Sequence, residues 1–559
     1  CRLLYSHIAG DCSVNLNSTF KRKVAYITGI VLLLFPLFFL GQPATSGHNG
    51  VGEVGGKLAQ LRAESELAQS NLGEINPVSS SMQLATFGLR PVAVIILWEK
   101  ATKFQKMEDY DNVTATINQI SKLQPNFISI WKFQAHNLAY NISVDFDNYR
   151  HRYQWVRRGI QFLMEGTRYN SRNAKLVQEV AFYTGSKIGY SDEKIQFRSL
   201  FSEDEMFHGQ MSDEGIDLAS NRALGANGKP DNWKASYLWY EKSEDVASMN
   251  EHHVHRDPIR FYEKKPQALV YYAMALEDDG YLDAEAQQAF AAAHTALIQL
   301  GNRDLSTQFG FNVRLNQFGE FQQNLKELRD KMDALAPELR QELKDDRFKR
   351  LSKPQQDAYS MEVGLRSDYH RQLANEATQA MFISESDIAE AMPIGIRKQA
   401  RNIAMAAEDA AMKVDGIDYM REMINYSYWL KRCEMEQMTL AITARKTVQQ
   451  ADDLFVEARL EEARKLYEIA WVDWRKIFDK YPSMITRDTG QNLEPSISNY
   501  IELLQQFDEE LPEDFVLQNL VATLEFAPKT LPAPSIQFPS PSQPNRIKGS
   551  VPNTDYLDK

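Results

Sequence analysis

Apolar residues recur three and four positions apart through most of this chain, while alternating β-branched runs bounded by turns are scarce. That period puts one apolar stripe on each of a series of helices and leaves little for a sheet to be built from. The expected fold class is therefore all-α. Three segments carry the spacing most clearly. "LWEKATKFQKMEDYDNVTATINQISKLQPNF" (97–127) sets Trp98 and Ala101 on a first helix and Tyr110 at a turn, then Ile117 and Ile120 on a second helix, with Pro125 as a stop. "YYAMALEDDGYLDAEAQQAFAAAHTALIQLG" (271–301) repeats the order, with Gly280 at the turn and Ala286, Phe290 and Ala293 after it. "DDLFVEARLEEARKLYEIAWVDWRKIFDKYP" (452–482) does so again with Ala463, Tyr467, Ala470 and Pro482. In the last two the offsets are the same, 0, +4 and +7.

Trp98 and Trp131 stand 33 residues apart, close to the period of tetratricopeptide helix hairpins, about 34. In such hairpins small residues let paired helices approach, and large ones fill the gaps between pairs. The expected architecture is a tetratricopeptide-like helical repeat scaffold with a long helical arm, an N-terminal transmembrane helix and a disordered Pro-rich tail. Its divisions are a cytoplasmic N-terminus (1–23), a signal-anchor (24–41), a Gly-rich linker (42–56) and tetratricopeptide-like repeats (57–190). An irregular insertion (191–265), a further repeat unit (266–321) and long amphipathic helices (322–450) follow. A last repeat unit with a C-terminal helix (451–526) leads into the tail (527–559), which holds seven of the 21 prolines and cannot pack a core.

The anchor is read from Lys21, Arg22 and Lys23 followed by an uncharged run, Val24 to Leu40. With Gly41 and the neutral residues after it, the run is just long enough for a bilayer core of roughly 30 Å. No basic residue follows until Lys57, so the positive-inside rule keeps the N-terminus cytoplasmic and sends the bulk of the chain to the periplasmic side of the inner membrane. A cleaved signal peptide, with "ATS" at 44–46 as the cleavage site, is the alternative. The formal net charge of −12 argues against nucleic acid as a partner, because an acidic surface neutralises phosphates poorly.

Several stretches together resemble a family. They are "GGKLAQLRAESELAQSNLGEINPVSSSMQLATFGLRPVAVIILWEKA" (55–101), "LQPNFISIWKFQAHNLAYNISVDFDNYRHRYQWVRRGIQFLMEG" (123–166), "INYSYWLKRCEMEQ" (424–437) and "YPSMITRDTGQNLEPSISNYIELLQQFDEELPEDFVL" (481–517). Over roughly 52–517 the chain resembles the membrane-anchored, tetratricopeptide-like proteins of planctomycetes and related bacteria. Some members carry an "iron responsive element" label. The resemblance implies an anchored helical scaffold and supplies no catalytic positions.

Residue chemistry is thin. "EHHVHRD" offers His252, His253 and His255 beside Glu251 and Asp257. The types suit zinc or iron, but the spacings do not put two ligands on one helical face. A metal-binding protein or metal-dependent enzyme using this cluster is the alternative to a scaffold, and an exposed polar loop is the plainer reading. No nucleophile elbow or H-E-x-x-H occurs, so neither catalysis nor a cofactor is expected. Cys433, on a helical pattern, reads as a buried structural thiol. In "NYRHRYQWVRRG" the arginines either take a carboxylate or pair with Asp145 and Asp147. In "WKFQAHNLAYNISV" (131–144), Gln134, Asn137 and Asn141 fall on one helical face after Trp131. They either tie down the loop behind them or, with Arg157, line a groove for an extended peptide. The expected partners are proteins, with a homo-oligomer through 322–450 also open.

Overall fold

The computed structural model describes residues 90–107, 109–249, 258–307 and 310–525, with scattered positions between 23 and 60. They are predominantly helical, as the apolar period requires, and one pair of two-residue strands is the only sheet among them. The chain divides into two compact units, 1–434 and 435–559. The expected boundary at 450/451 falls instead inside a helix of the second unit, Thr439–Val456, which is half of a hairpin and cannot be parted from its other half.

The first unit opens with a hairpin, α1 (Arg90–Lys106) against α2 (Tyr110–Leu123). Asp109 starts α2 by accepting the backbone N–H of Asn112, so one orphan donor of the first turn is met. Ala101, Ile117 and Ile120 are buried as their spacing requires, whereas Trp98 stays 40% exposed. Next come α3 (Ile128–His136), a π-helical turn π1 (Asn137–Ile142), α4 (Tyr149–Tyr169), α5 (Ala174–Phe182) and a second π-helical turn π2 (Tyr183–Lys187). Glycine decides how closely α4 meets α3: a Cβ on Gly166 would lie 2.8 Å from the Trp131 indole, and one on Gly159 would lie 2.9 Å from the Ala135 carbonyl oxygen.

The stretch 191–265 corrects the expectation of an irregular insertion. It carries α6 (Lys194–Glu203), α7 (Glu205–Asp213) and α8 (Asn232–Met249). Phe197 and Phe201 on α6, with Phe207 and Met211 on α7, make two four-residue steps of fully buried side chains. The charged residues around them hid that period. Among the described residues of this stretch the long irregular part is 214–231, which holds a bridge between Leu224 and Pro230.

After α9 (Pro258–Tyr262), a second hairpin forms from α10 (Lys264–Asp278) and α11 (Ala284–Gly301), with Ala286, Phe290 and Ala293 all buried. Gly280 makes its turn at φ +80°, where Tyr281 N–H reaches back to the Leu276 carbonyl. The strands β1 (Leu305–Ser306) and β2 (Asn312–Val313) pair antiparallel, Leu305 opposite Val313. They lead into a long arm.

That arm is α12 (Phe318–Leu335) against α17 (Ile394–Met423), the latter 30 residues long, or about 45 Å at 1.5 Å per residue. Ala400, Ala404, Ala407 and Ala410 form a small-residue stripe on α17 that lets α12 approach, with Leu325 and Met332 packed on it. Long amphipathic helices were expected throughout 322–450. Between α12 and α17, however, lie four shorter ones: α13 (Leu339–Arg350), α14 (Lys353–Ser360), α15 (Asp368–Met381) and α16 (Glu385–Ala391). Serines divide them. Ser352 and Ser384 begin capping boxes, and Ser367 caps α15. At the tip, buried Glu385 accepts from both Arg329 and Arg340. The helix α18 (Tyr426–Glu436) follows, with Cys433 fully buried on it.

The second unit holds the hairpin α19 (Thr439–Val456) and α20 (Leu460–Lys480), then α21 (Arg487–Gln506) and α22 (Gln518–Glu525). Ala463, Tyr467 and Ala470 are buried, and Tyr467 stacks on Trp471 at 5.7 Å. Asp452 ties three helices together, accepting from Tyr467, Ser496 and Asn499. The hairpin turn repeats the bonding seen at Gly280, with Arg459 N–H on the Leu454 carbonyl, but the left-handed residue is Ala458 at φ +59°. A Cβ in that conformation is strained by roughly 1–2 kcal/mol, part of which glycine's freer unfolded chain takes back. Ala458→Gly is expected to stabilise the second unit by about 0.5–1 kcal/mol, read as a higher urea midpoint.

Of the apolar run 24–41, part lies outside the described residues; those described are helical and largely exposed, with the Phe35 and Phe39 rings 5.1 Å apart. Among the described residues no helix is long and apolar enough to cross a membrane. The tail 527–559 and nearly all of the linker 42–56 lie outside the described residues.

Candidate functional site

The two π-helical turns are the local feature that sequence periodicity did not anticipate. π-Helix is rare in proteins and concentrates at functional sites. Here the two found among the described residues lie in one part of the fold and feed one cluster of side chains. A π-turn carries one extra residue per turn and loosens the ordinary carbonyl pairing, so its backbone needs outside partners. Asn232 supplies them for π2, its side-chain amide donating to the Thr184 and Gly185 carbonyls at 3.3 and 2.9 Å. Ser236 adds a 2.7 Å bond to the Ala181 carbonyl. At π1, Ser143 donates back to the Ala139 carbonyl at 2.6 Å.

From α3 and π1 come Lys132, His136 and Tyr140; from α5 and π2 come Glu179, Tyr183 and Lys187. The His136 ring stacks on Tyr140 at 4.8 Å, and the Tyr140 ring meets Tyr183 edge-on at 5.5 Å. Lys187 Nζ sits 4.3 Å above the Tyr140 ring. Glu179 is held in an ion pair by Lys132. Burial lowers the His136 pKa, and the Lys187 charge beside it adds to that, against a smaller opposing pull from Glu179. Burial also lowers Lys187, with Arg152 reinforcing, while Glu193 and Asp192 oppose. Both tyrosines are pushed up, first by burial and further by the charge of Glu179. The cluster is a half-buried amine on an aromatic platform beside an imidazole held towards its neutral form.

The expected peptide groove is corrected. Trp131, Gln134 and Asn137 are at most 1% exposed. Trp131 donates to the Pro125 carbonyl at 2.7 Å and packs on Phe162 and Tyr169. Gln134 reaches Thr114 at 3.4 Å, and Asn141, the exposed member, donates to Asn137 at 3.2 Å. Gln134 and Asn137 therefore sit in the crossing of α3 and π1 with their neighbours. The widening at π1 begins at Asn137, and Asn141 within it is the one member left at the surface. Arg157 is also committed elsewhere: its Nη1 donates to both Asp204 oxygens, at 3.0 and 3.2 Å, and the Tyr153 hydroxyl joins the same carboxylate. Arg152 pairs with Glu193. Arg152 and Arg157 thus find carboxylates on the flanks of α6 rather than Asp145 and Asp147, while Arg150 bonds the Tyr149 hydroxyl and Arg158 lies over the Trp155 ring.

The histidines 252, 253 and 255 lie outside the described residues. Among the described residues no group of three His, Cys, Asp or Glu is placed to hold a metal ion. An open cleft of about 540 Å³ runs along α4, lined by Gln161, Met164, Glu165, Arg168, Tyr169 and Gln210. It is bridged by a 2.6 Å bond from Gln161 to Gln210 and shares no residue with the π-turn cluster. Compared with protein-family models, with curated proteins and with solved structures, the chain matches none.

Proposed function

We propose that this chain is a membrane-anchored, tetratricopeptide-like scaffold that holds a protein partner on the extracytoplasmic side. The observation that carries the reading is a ring contact between α1 and α3, the first helices of successive hairpin positions. Their exposed aromatic residues, Trp98 and Phe133, meet at 5.4 Å, and Ile95, 67% exposed, extends the same helix surface. In hairpin arrays the first helices line the binding surface. A contiguous apolar patch of this kind marks a contact for another protein. The charged run Lys21 to Lys23 before 24–41 supports the anchor and its orientation.

The test is crosslinked capture from native membranes with the full chain and an Ile95→Glu/Trp98→Glu variant. The reading expects at least one protein recovered with the unchanged chain and depleted several-fold with the variant, at an unchanged melting temperature. The rival occupant of this face is the chain's own segment 57–89. A variant that melts lower and captures the same set would assign the face to that segment and overturn the reading. Identical capture at equal stability overturns it as well.

A further inference from the structure

We propose that Lys187 is a nucleophilic amine, presented by the paired π-turns, that condenses with an aldehyde or ketone ligand to form an imine. The inference goes beyond the scaffold reading and does not depend on it. It rests first on where the neighbouring charges go. Glu179 is taken by Lys132, and Glu193 by Arg152. Lys187 itself makes no ion pair or hydrogen bond among the described residues; its ammonium has the Tyr140 ring face at 4.3 Å in place of a carboxylate.

An aromatic face returns only part of what a buried ammonium loses in leaving water, roughly 0.5–2 kcal/mol. Half-burial without a counter-ion favours the neutral amine, the nucleophilic form. The groups acting on it are few. The charged ones are Glu193 and Asp192, which favour the ammonium without being bound to it, and Arg152, which disfavours it. His136 and Tyr140 complete the surround. The side chain is not sealed: Lys187 and Tyr140 are both of intermediate exposure, so a small carbonyl compound can reach the nitrogen.

The step balances without any redox partner. The Nζ lone pair attacks the carbonyl carbon, and the C=O π pair moves to oxygen, which takes up a proton while the nitrogen gives one up. The resulting carbinolamine loses its hydroxyl as water, leaving the C=N bond. His136, kept towards the neutral form, is the adjacent group suited to accept and return the proton.

The experiment is reductive trapping on the full chain: substoichiometric acetaldehyde with cyanoborohydride at neutral pH, with modified lysines located by mass spectrometry. Lys187 is expected to be alkylated several-fold faster than the median surface lysine, with the preference shrinking as pH is raised and all amines deprotonate. Tyr140→Phe keeps the ring and should keep the preference. Tyr140→Ala admits water and should abolish it, with circular dichroism confirming that both variants stay folded. Labelling of Lys187 at or below the median overturns the proposal. So does a preference that survives unfolding in urea, because it would then belong to the local sequence and not to the site.

Discussion

Trp131→Ala is expected to lower the stability of the first unit by about 3–5 kcal/mol, the usual cost of removing a fully buried tryptophan. The side chain is 1% exposed, stacks on Tyr169, packs at a tilt against Phe162, and donates to the Pro125 carbonyl at 2.7 Å. Gly166 has no side chain where the indole lies, so α4 can close on it to within contact distance. Removing the indole leaves a cavity, and the Pro125 carbonyl keeps only its 2.8 Å bond from the Asn170 side-chain amide. Urea unfolding followed by circular dichroism measures the loss. Asn141→Leu, at the exposed end of the same stretch, should stay within about 0.5 kcal/mol of the unchanged protein. Equal and small effects from both substitutions would mean that 131–144 is not core.

The second large effect is expected at Glu436→Ala in the second unit. Glu436 is 1% exposed and receives both arms of the Arg445 guanidinium, one at 2.7 Å. Arg445 also lies 5.0 Å from the centre of the Trp474 ring, so its charge is walled by apolar surface on that side. Removing one partner of a buried pair strands the other, at a cost of roughly 3–5 kcal/mol. The Glu436→Ala/Arg445→Met double variant removes both charges and should recover much of that loss. A double variant as unstable as the single would show that the carboxylate's packing, not the stranded guanidinium, sets the cost. Guanidinium-free urea melts of all three proteins decide it.

The hairpins were legible because their evidence is local. Ala286, Phe290 and Ala293, or Ala463, Tyr467 and Ala470, declare a buried stripe within eight residues, and the turns announce themselves through Gly280 or a proline stop. The all-α class follows from the same signal. What was not legible is what depends on distant partners. Asp204 and Glu193 lie some 40 to 50 residues beyond the arginines they bind, so Arg157 looked available when only its neighbours could be read. The π-turns were hidden for a related reason. Nothing in "NLAYNI" or "YTGSK" dictates an extra residue per turn; the widening is fixed by close contacts from Gly159 and by the side chain of Asn232, both from other helices. Of the three carboxamides, Gln134 and Asn137 are interior and Asn141 alone stays at the surface. The arm shows the opposite case, in which serine caps at 352, 367 and 384 were present in the sequence but outweighed by an unbroken run of charged helix formers.

The arm leaves and re-enters the body at nearly the same place. The Tyr426 hydroxyl donates within reach of both the Leu297 carbonyl and Asn316, and Arg421 donates to the Leu315 carbonyl. Chain entering at Asn316 and chain leaving at Tyr426 are thereby stitched together below α12 and α17. A detour whose two ends are already clasped contributes little to the closure entropy of what lies beneath it. The roughly hundred residues between can open, exchange their amides and close again as a separate foldon while the α10–α11 hairpin stays protected. In evolutionary terms, such a detour is a cassette: its length and tip can drift, or be swapped, without renegotiating the register of the body that carries it.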